Sequence, residues 1–317
     1  MLSLALAPLR FLDRHSRVLL ALGVFIGVAL PSLASALKPY IIASVLGCLV
    51  GAMLLLDWDK IRVESRRRGL LGAFVIWQLL ICPVTVWFIA DWFGLSSTLT
   101  EVVFLQSAAP PIASAAVFLL LLGIDGGLAL LVSVFCVLLL PVTLTALMGI
   151  FLATALEVSL WEFFARACVM LLMPFIIAWG VRRWLGKTRL QQASGAISGL
   201  NVLLLIVFAI GVMDGVYVEF VDRTDSAVRL FITAWVMAVI LHVAGFAAFS
   251  RVGRYEAMTA AMTSGNRNLG VMFAVTATVA SSDFALYVGI AQIPMYFVPL
   301  LLAPLAKRLH LESRATR

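Results

Sequence analysis

Of 317 residues, 63% are hydrophobic and only 12% charged, and the mean hydropathy is +1.10. Soluble domains run at about 45–50% apolar and about 25% charged, so the composition excludes a water-soluble domain and points to an all-α integral membrane protein. The net charge of +7 calls for no nucleic-acid partner, because the basic residues fall in short loops between apolar runs.

From the N-terminus, residues 1–17 carry Arg10, Arg14 and Arg17 and form either a short amphipathic helix in the membrane interface or a solvated tail. Runs long enough to cross about 30 Å of hydrocarbon as helix then recur at residues 18–37, 39–56, 70–90, 102–122, 128–150, 158–181, 197–218, 228–249, 257–280 and 284–306. They predict ten transmembrane helices. The first run ends in Ala34-Ser-Ala36, the small-residue spacing of a signal-peptide cleavage site. It is read as a mimic, since cleavage would leave nine spans.

Short cytoplasmic loops carry the excess of Lys and Arg. The N-terminus, the second, sixth and eighth loops and the tail together hold 18 basic residues, whereas the opposite side holds Lys38, Arg223 and Arg229. A multi-pass protein of the cell (inner) membrane with both termini cytoplasmic is therefore expected. Cys48, Cys82, Cys136 and Cys168 all lie inside apolar runs, where a thiol acts as a small hydrophobe; they suggest neither disulfide nor metal.

The runs repeat. Asp125-Gly-Gly-Leu128 opens the fifth, which reaches Pro141, and Asp283-Phe-Ala-Leu286 opens the tenth, which reaches Pro299, so Asp, Leu and Pro recur at one offset of 158 residues. Glu101 precedes Pro110 by nine residues, as Glu256 precedes Gly265. Two five-helix halves follow, 1–150 and 151–317, and an odd number of helices in each places them in inverted orientation. The fourth run contains Ser107-Ala-Ala-Pro-Pro-Ile-Ala-Ser114 and the ninth Thr263-Ser-Gly-Asn-Arg-Asn-Leu-Gly270. Paired Pro/Gly interruptions at corresponding positions point to a transporter site near the bilayer midplane. Pro111 cannot donate an N–H, and Gly265 and Gly270 tolerate unwound backbone. Freed N–H groups attract anions and freed carbonyls hold cations; the structural alternative is a proline kink and a glycine packing contact. Arg267, protonated at any accessible pH, must face protein, water or ligand at that depth.

These residues resemble the bile acid:sodium symporter family over nearly the whole chain. Pro110-Pro-Ile-Ala-Ser-Ala-Ala-Val117 is similar to the family's fourth-helix Pro-Gly-Gly-Thr-x-Ser-Asn-Val, and Thr263-Ser-Gly-Asn-Arg-Asn268 to its ninth-helix Glu-x-Gly-x-Gln-Asn. Arg267-Asn-x-Gly270 and the closing run Gln292-Ile-Pro-Met-Tyr-Phe-Val-Pro299 look like bacterial branches. The resemblance implies ten helices in two inverted five-helix repeats, with broken helices four and nine crossing in a core of helices three to five and eight to ten. A panel of helices one, two, six and seven then moves against that core. It also implies secondary transport, and the departures bear on its coupling. The family's Glu, Gln, Ser and Asn sodium ligands correspond here to Thr263, Arg267, Ala115 and Ala116, while Gln78 matches a further one. Hard cations need oxygen ligands, preferably with a carboxylate; most of those oxygens are replaced and a fixed positive charge is added. The candidate substrate- or ion-binding residues are Gln78, Pro110, Pro111, Ser114, Thr263, Ser264, Gly265, Asn266, Arg267 and Asn268. Arg267 either occupies the second sodium position as a permanent internal cation or pairs with an anionic substrate; the structural alternative is an ion pair with Glu101 or Glu256. Coupling to sodium through carbonyls and Gln78, to protons, or to no ion stays open.

Among the other polar residues, His242 sits about 12 Å along its helix from the nearer end and is either a proton relay or hydrogen-bonded packing. Glu162 and Arg166 share a helix face as a structural pair. Asp125 and Asp283 are expected to cap helices. Asn201 and Gln292 either line a cavity or bond between helices, and Gly23/Gly27, Gly47/Gly51 and Gly195/Gly199 mark close packing. Gly180-Val-Arg-Arg-Trp-Leu-Gly-Lys-Thr188 misses phosphate-loop spacing by one residue. Metalloprotease, serine-hydrolase and Cys-x-x-Cys motifs are absent from the sequence. The favoured reading is a transporter of a small organic anion without a bound cofactor; a passive channel or sensor and an intramembrane enzyme are the alternatives.

Overall fold

The computed structural model describes residues 7–56, 66–152, 159–295, 297–298 and 301. The basic residues of 57–65 and of the tail beyond 301 lie outside the described residues, as does Pro299. Regular structure among those described is helical, apart from one isolated two-residue bridge.

The N-terminal segment contains a helix, α1 (Ala7–Arg14). Its Leu9 backbone lies against Gly199, where any Cβ would collide with it. The first apolar run is two helices rather than one, α2 (Ser16–Ala29) and α3 (Pro31–Leu37). Pro31 forces the break: the residue before a proline is pushed out of helical geometry, and Leu30 sits at φ −123°, ψ 74°.

After a turn of 3₁₀ helix (Lys38–Tyr40), α4 runs Ile41–Leu55. The next rod comprises α5 (Arg68–Ile76), a π-helical turn (Trp77–Ile81) and α6 (Cys82–Trp92). Then come α7 (Ser97–Ala108), α8 (Ala115–Leu121) and the unbroken α9 (Gly127–Phe151), which carries Pro141 internally. Leu160–Gly211, labelled α10, contains a non-helical residue at Gly186 (φ 75°, ψ 164°). It is two helices end to end. The remainder is α11 (Val216–Asp222), α12 (Thr224–Phe249), α13 (Arg254–Gly265), α14 (Leu269–Thr276) and α15 (Ser282–Ile290).

Five helical segments among the described residues are long and apolar enough to cross a bilayer: Pro31–Leu55, Arg68–Trp92, Gly127–Phe151, Leu160–Asp222 and Thr224–Phe249. The fourth has 63 residues, about 95 Å as a single rod and far more than one crossing needs. The runs at 102–122 and 257–280 do not appear as single rods, because each is interrupted midway.

Packing follows the small residues. Gly23 and Gly27 of α2 meet Ala209, Ile206 and the Ile210 carbonyl of α10, and Gly47 and Gly51 of α4 meet Leu204 and Asn201. Removing the side chain lets backbones approach, which is how helices associate where solvent offers no hydrophobic drive. Asn201 therefore fills the space over Gly51 and accepts the Cys48 thiol at its backbone oxygen. Large side chains such as Phe74, Phe104, Phe163 and Phe284 form the interior, while Trp92, Phe93, Trp161, Trp179 and Trp184 point outward. An apolar exterior with aromatics near helix ends is what a lipid-facing surface requires.

Candidate functional site at the helix crossing

The two interruptions meet. Helix α7 stops because Pro110 and Pro111 follow it: Ala109 is driven to extended geometry (φ −61°, ψ 144°). Helix α13 stops at Gly265, and Asn266 and Asn268 take non-helical angles before α14 begins. The extended pieces pair antiparallel at Pro111 and Arg267. Ile112 donates to the Asn266 carbonyl at 2.9 Å, and Asn268 donates to the Pro110 carbonyl at 2.7 Å. Each break thus supplies backbone partners to the other, as buried peptide groups require. The Asn268 side chain caps α14 by accepting from Val271 at 3.1 Å.

Arg267 lies within this junction, 1% exposed. Its Nε donates to the Ser264 carbonyl at 2.7 Å, its Nη1 to the carbonyls of Ala109 at 2.8 Å and Gln78 at 3.3 Å, and its Nη2 to Cys82 Sγ at 3.2 Å. All three carbonyls belong to places where a helix ends or loosens. The Gln78 case is instructive. In the π turn the Cys82 N–H reaches back five residues to Trp77, so the Gln78 carbonyl loses its usual donor four residues on. Pro83, next in line, has no N–H to offer. That orphaned oxygen is the one Arg267 satisfies.

The ion pairs of Arg267 with Glu101 or Glu256, the structural alternative, do not form. Glu101 accepts instead from the Ser281 backbone at 2.9 Å, and Glu256 pairs with Arg67 at 2.7 Å. Among the described residues no ion pair includes Arg267. A buried charge left without a carboxylate is held by dipoles alone, a charge-assisted arrangement that leaves the junction electropositive.

The other candidates gather around it. Gln78 donates to Thr263 Oγ1 at 2.8 Å and Ser264 Oγ at 3.2 Å, while its own Oε1 is buried and unpartnered. Thr263 donates onward to the Thr259 carbonyl at 2.8 Å. His242 packs its ring on Gly265, where any Cβ would collide with it, and bonds the Ala238 carbonyl at 2.6 Å and Asn266 Nδ2 at 3.1 Å. Ser114 begins α8, half-buried and without a side-chain cap bond. A cavity with room for about one water borders Gln106, Ala238, Gly265 and Arg267.

Sequence reading missed four contributors. Trp77 Nε1 donates to Ser264 Oγ at 2.9 Å, Cys82 accepts from Arg267, and Tyr287 donates to Gln106 against the same cavity. Pro83, five residues after Gln78 in an apolar run, was the available signal; an apolar-looking cysteine or tyrosine carries none.

Two peripheral expectations change. Asp125 caps as expected, accepting from Gly127 at 2.9 Å, but Ser281 rather than Asp283 caps α15; Asp283 instead approaches Arg223 at 3.4 Å. Gln292 bonds the Val288 carbonyl of its own helical turn. Glu162 and Arg166 pair at 3.5 Å, and Arg166 also donates to Thr278.

Residues 20–219 match the model of the sodium bile acid symporter family. The chain belongs to that family. No curated protein matches it. Membership makes this a membrane protein of a transporter family rather than of an enzyme family. The matched stretch includes Gln78 and the first interruption and ends before Arg267.

Proposed function

We propose that the protein is a secondary transporter that carries a small organic anion by alternating access, with the Arg267 guanidinium serving as a built-in cation at the crossing. The observation that carries the reading is the bonding of Arg267: three carbonyl oxygens released by three interrupted helices, one thiol, and no carboxylate. Hard cations are held by such oxygens, and a guanidinium that fills their place supplies the charge permanently. Because at least four of its five donors are engaged, it attracts an anion through its field rather than by a bidentate clamp. The half-buried strip Ile112, Ala113, Ser114 and Asn268 is where such an anion would approach. Termini on the cytoplasmic side follow from the basic loops.

Uptake of radiolabelled taurocholate and of short carboxylates into proteoliposomes tests this. Saturable uptake that is equal in sodium and choline media is expected, falling more than tenfold in Arg267→Gln with the fold retained. Undiminished uptake by that variant, or uptake abolished in choline, would overturn the built-in cation.

A further inference from the structure

We propose that Nε2 of His242 is a proton-binding site that reports to the crossing through Asn266, so that proton and cargo anion load together; this rests on the anion-transport reading above. The geometry assigns the histidine's protons. Nδ1 lies 2.6 Å from the Ala238 carbonyl, which only accepts, so Nδ1 carries the hydrogen. Nε2 faces the Asn266 amide nitrogen at 3.1 Å, and that amide is oriented by the Met262 carbonyl, to which the same nitrogen donates at 2.9 Å. An NH₂ therefore points at Nε2, which accepts through its lone pair. Asn266 Oδ1 meanwhile is buried without any partner.

A proton arriving at Nε2 sets N–H against N–H. The conflict is relieved when the Asn266 amide turns over, so that its unpartnered Oδ1 accepts from Nε2–H, while the Met262 carbonyl loses the Nδ2 donor and keeps the Asn266 backbone N–H at 3.1 Å. No electrons move: one proton is taken up and later returned. Asn266 is itself part of the crossing, since its backbone carbonyl holds the Ile112 N–H of the opposite interruption at 2.9 Å. The imidazole itself rests on Gly265. Protonation is thus sensed at the residue that bonds the two broken segments together.

The ionisable groups on the elements packed about α12 define the electrostatics. Arg267 is on the α13–α14 link, Cys82 of α6 is bonded to it, and Tyr287 of α15 is bonded to Gln106 of α7. Glu256, Glu101 and Asp283 lie toward the helix ends, engaged with Arg67, the Ser281 backbone and Arg223. An imidazolium beside Arg267 then places two positive charges together with no carboxylate between them, which costs free energy at low dielectric. An anion at the junction offsets that cost, and by linkage the proton favours the anion to the same degree. One proton with one monoanion moves no net charge.

The test uses the full chain in nanodiscs with ¹⁵N-labelled histidine; the three histidines are His15, His242 and His310, and His242→Gln assigns the signal. The expected spectrum at pH 8 shows neutral His242 with its hydrogen on Nδ1, protonating at Nε2 on acidification. Asn266→Ala, which removes both the NH₂ that faces neutral Nε2 and the oxygen that accepts from Nε2–H, should shift the midpoint, and saturating taurocholate should raise it in the wild type. A hydrogen on Nε2 at pH 8, or a midpoint unmoved by Asn266→Ala, overturns the proposal; the tautomer is read on the wild type alone, whatever the variant does. In proteoliposomes an inward proton gradient should stimulate taurocholate uptake several-fold in the wild type and not in His242→Gln. Saturable uptake indifferent to the gradient overturns proton coupling and leaves the carrier reading intact, whereas absence of saturable uptake counts against the carrier reading while the spectrum still decides the proton site.

Discussion

Single residues at the crossing act by meeting backbone groups that nothing else satisfies. Arg267→Ala would strand the carbonyls of Gln78 and Ala109, and losing one partner of a buried charged interaction costs about 2–4 kcal/mol, visible as a lower unfolding temperature in detergent. Gly265→Ala forces a methyl group into the His242 ring; overpacking of this kind costs about 1–3 kcal/mol. The double variant with His242→Ala should recover much of that loss, since contacting sites are non-additive. Lys38 makes the contrast: its pair with Asp214 at 2.8 Å is 62% exposed on the lysine side, so Lys38→Ala should change stability by less than about 1 kcal/mol.

At the scale of helices, the prolines decide where rods stop and their neighbours decide what the ends bond. Pro31 divides the first apolar run, Pro110 and Pro111 end α7, and Pro83 leaves a carbonyl free within the π turn, yet Pro141 sits inside the continuous α9. A proline in the sequence marks a missing N–H; whether the rod bends or ends depends on packing that the sequence does not display. Helix ends need caps in the same way. Arg182 Nη1 donates to the carbonyls of Leu54 at 2.9 Å and Leu56 at 3.1 Å at the close of α4. Arg182→Ala is expected to lower stability by about 1–3 kcal/mol, with Arg182→Lys recovering part of it in the same unfolding assay.

Across the whole molecule, the offset of 158 residues found between Asp125 and Asp283 reappears as contact: it separates Ala109 from Arg267, which are bonded, and Pro110 from Asn268, which are also bonded. The 26 residues of α12 span about 39 Å, enough to place Arg223 and Arg251 on opposite faces of a bilayer. Arg223→Cys should react with a membrane-impermeant maleimide on intact cells, and Arg251→Cys only after lysis. The reverse pattern would invert the orientation drawn from the basic loops.

The sequence by itself determined the solvent this protein lives in and the two interruptions that meet at the crossing, because hydropathy, the missing N–H of proline and the backbone freedom of glycine are properties of side chains and peptide units taken singly. Only the tertiary structure decided what Arg267 holds. Its partners are mainly backbone oxygens, two of the three contributed by segments 158 and 189 residues away. Every residue carries such an oxygen, so no residue type announces which ones a fold will leave unsatisfied.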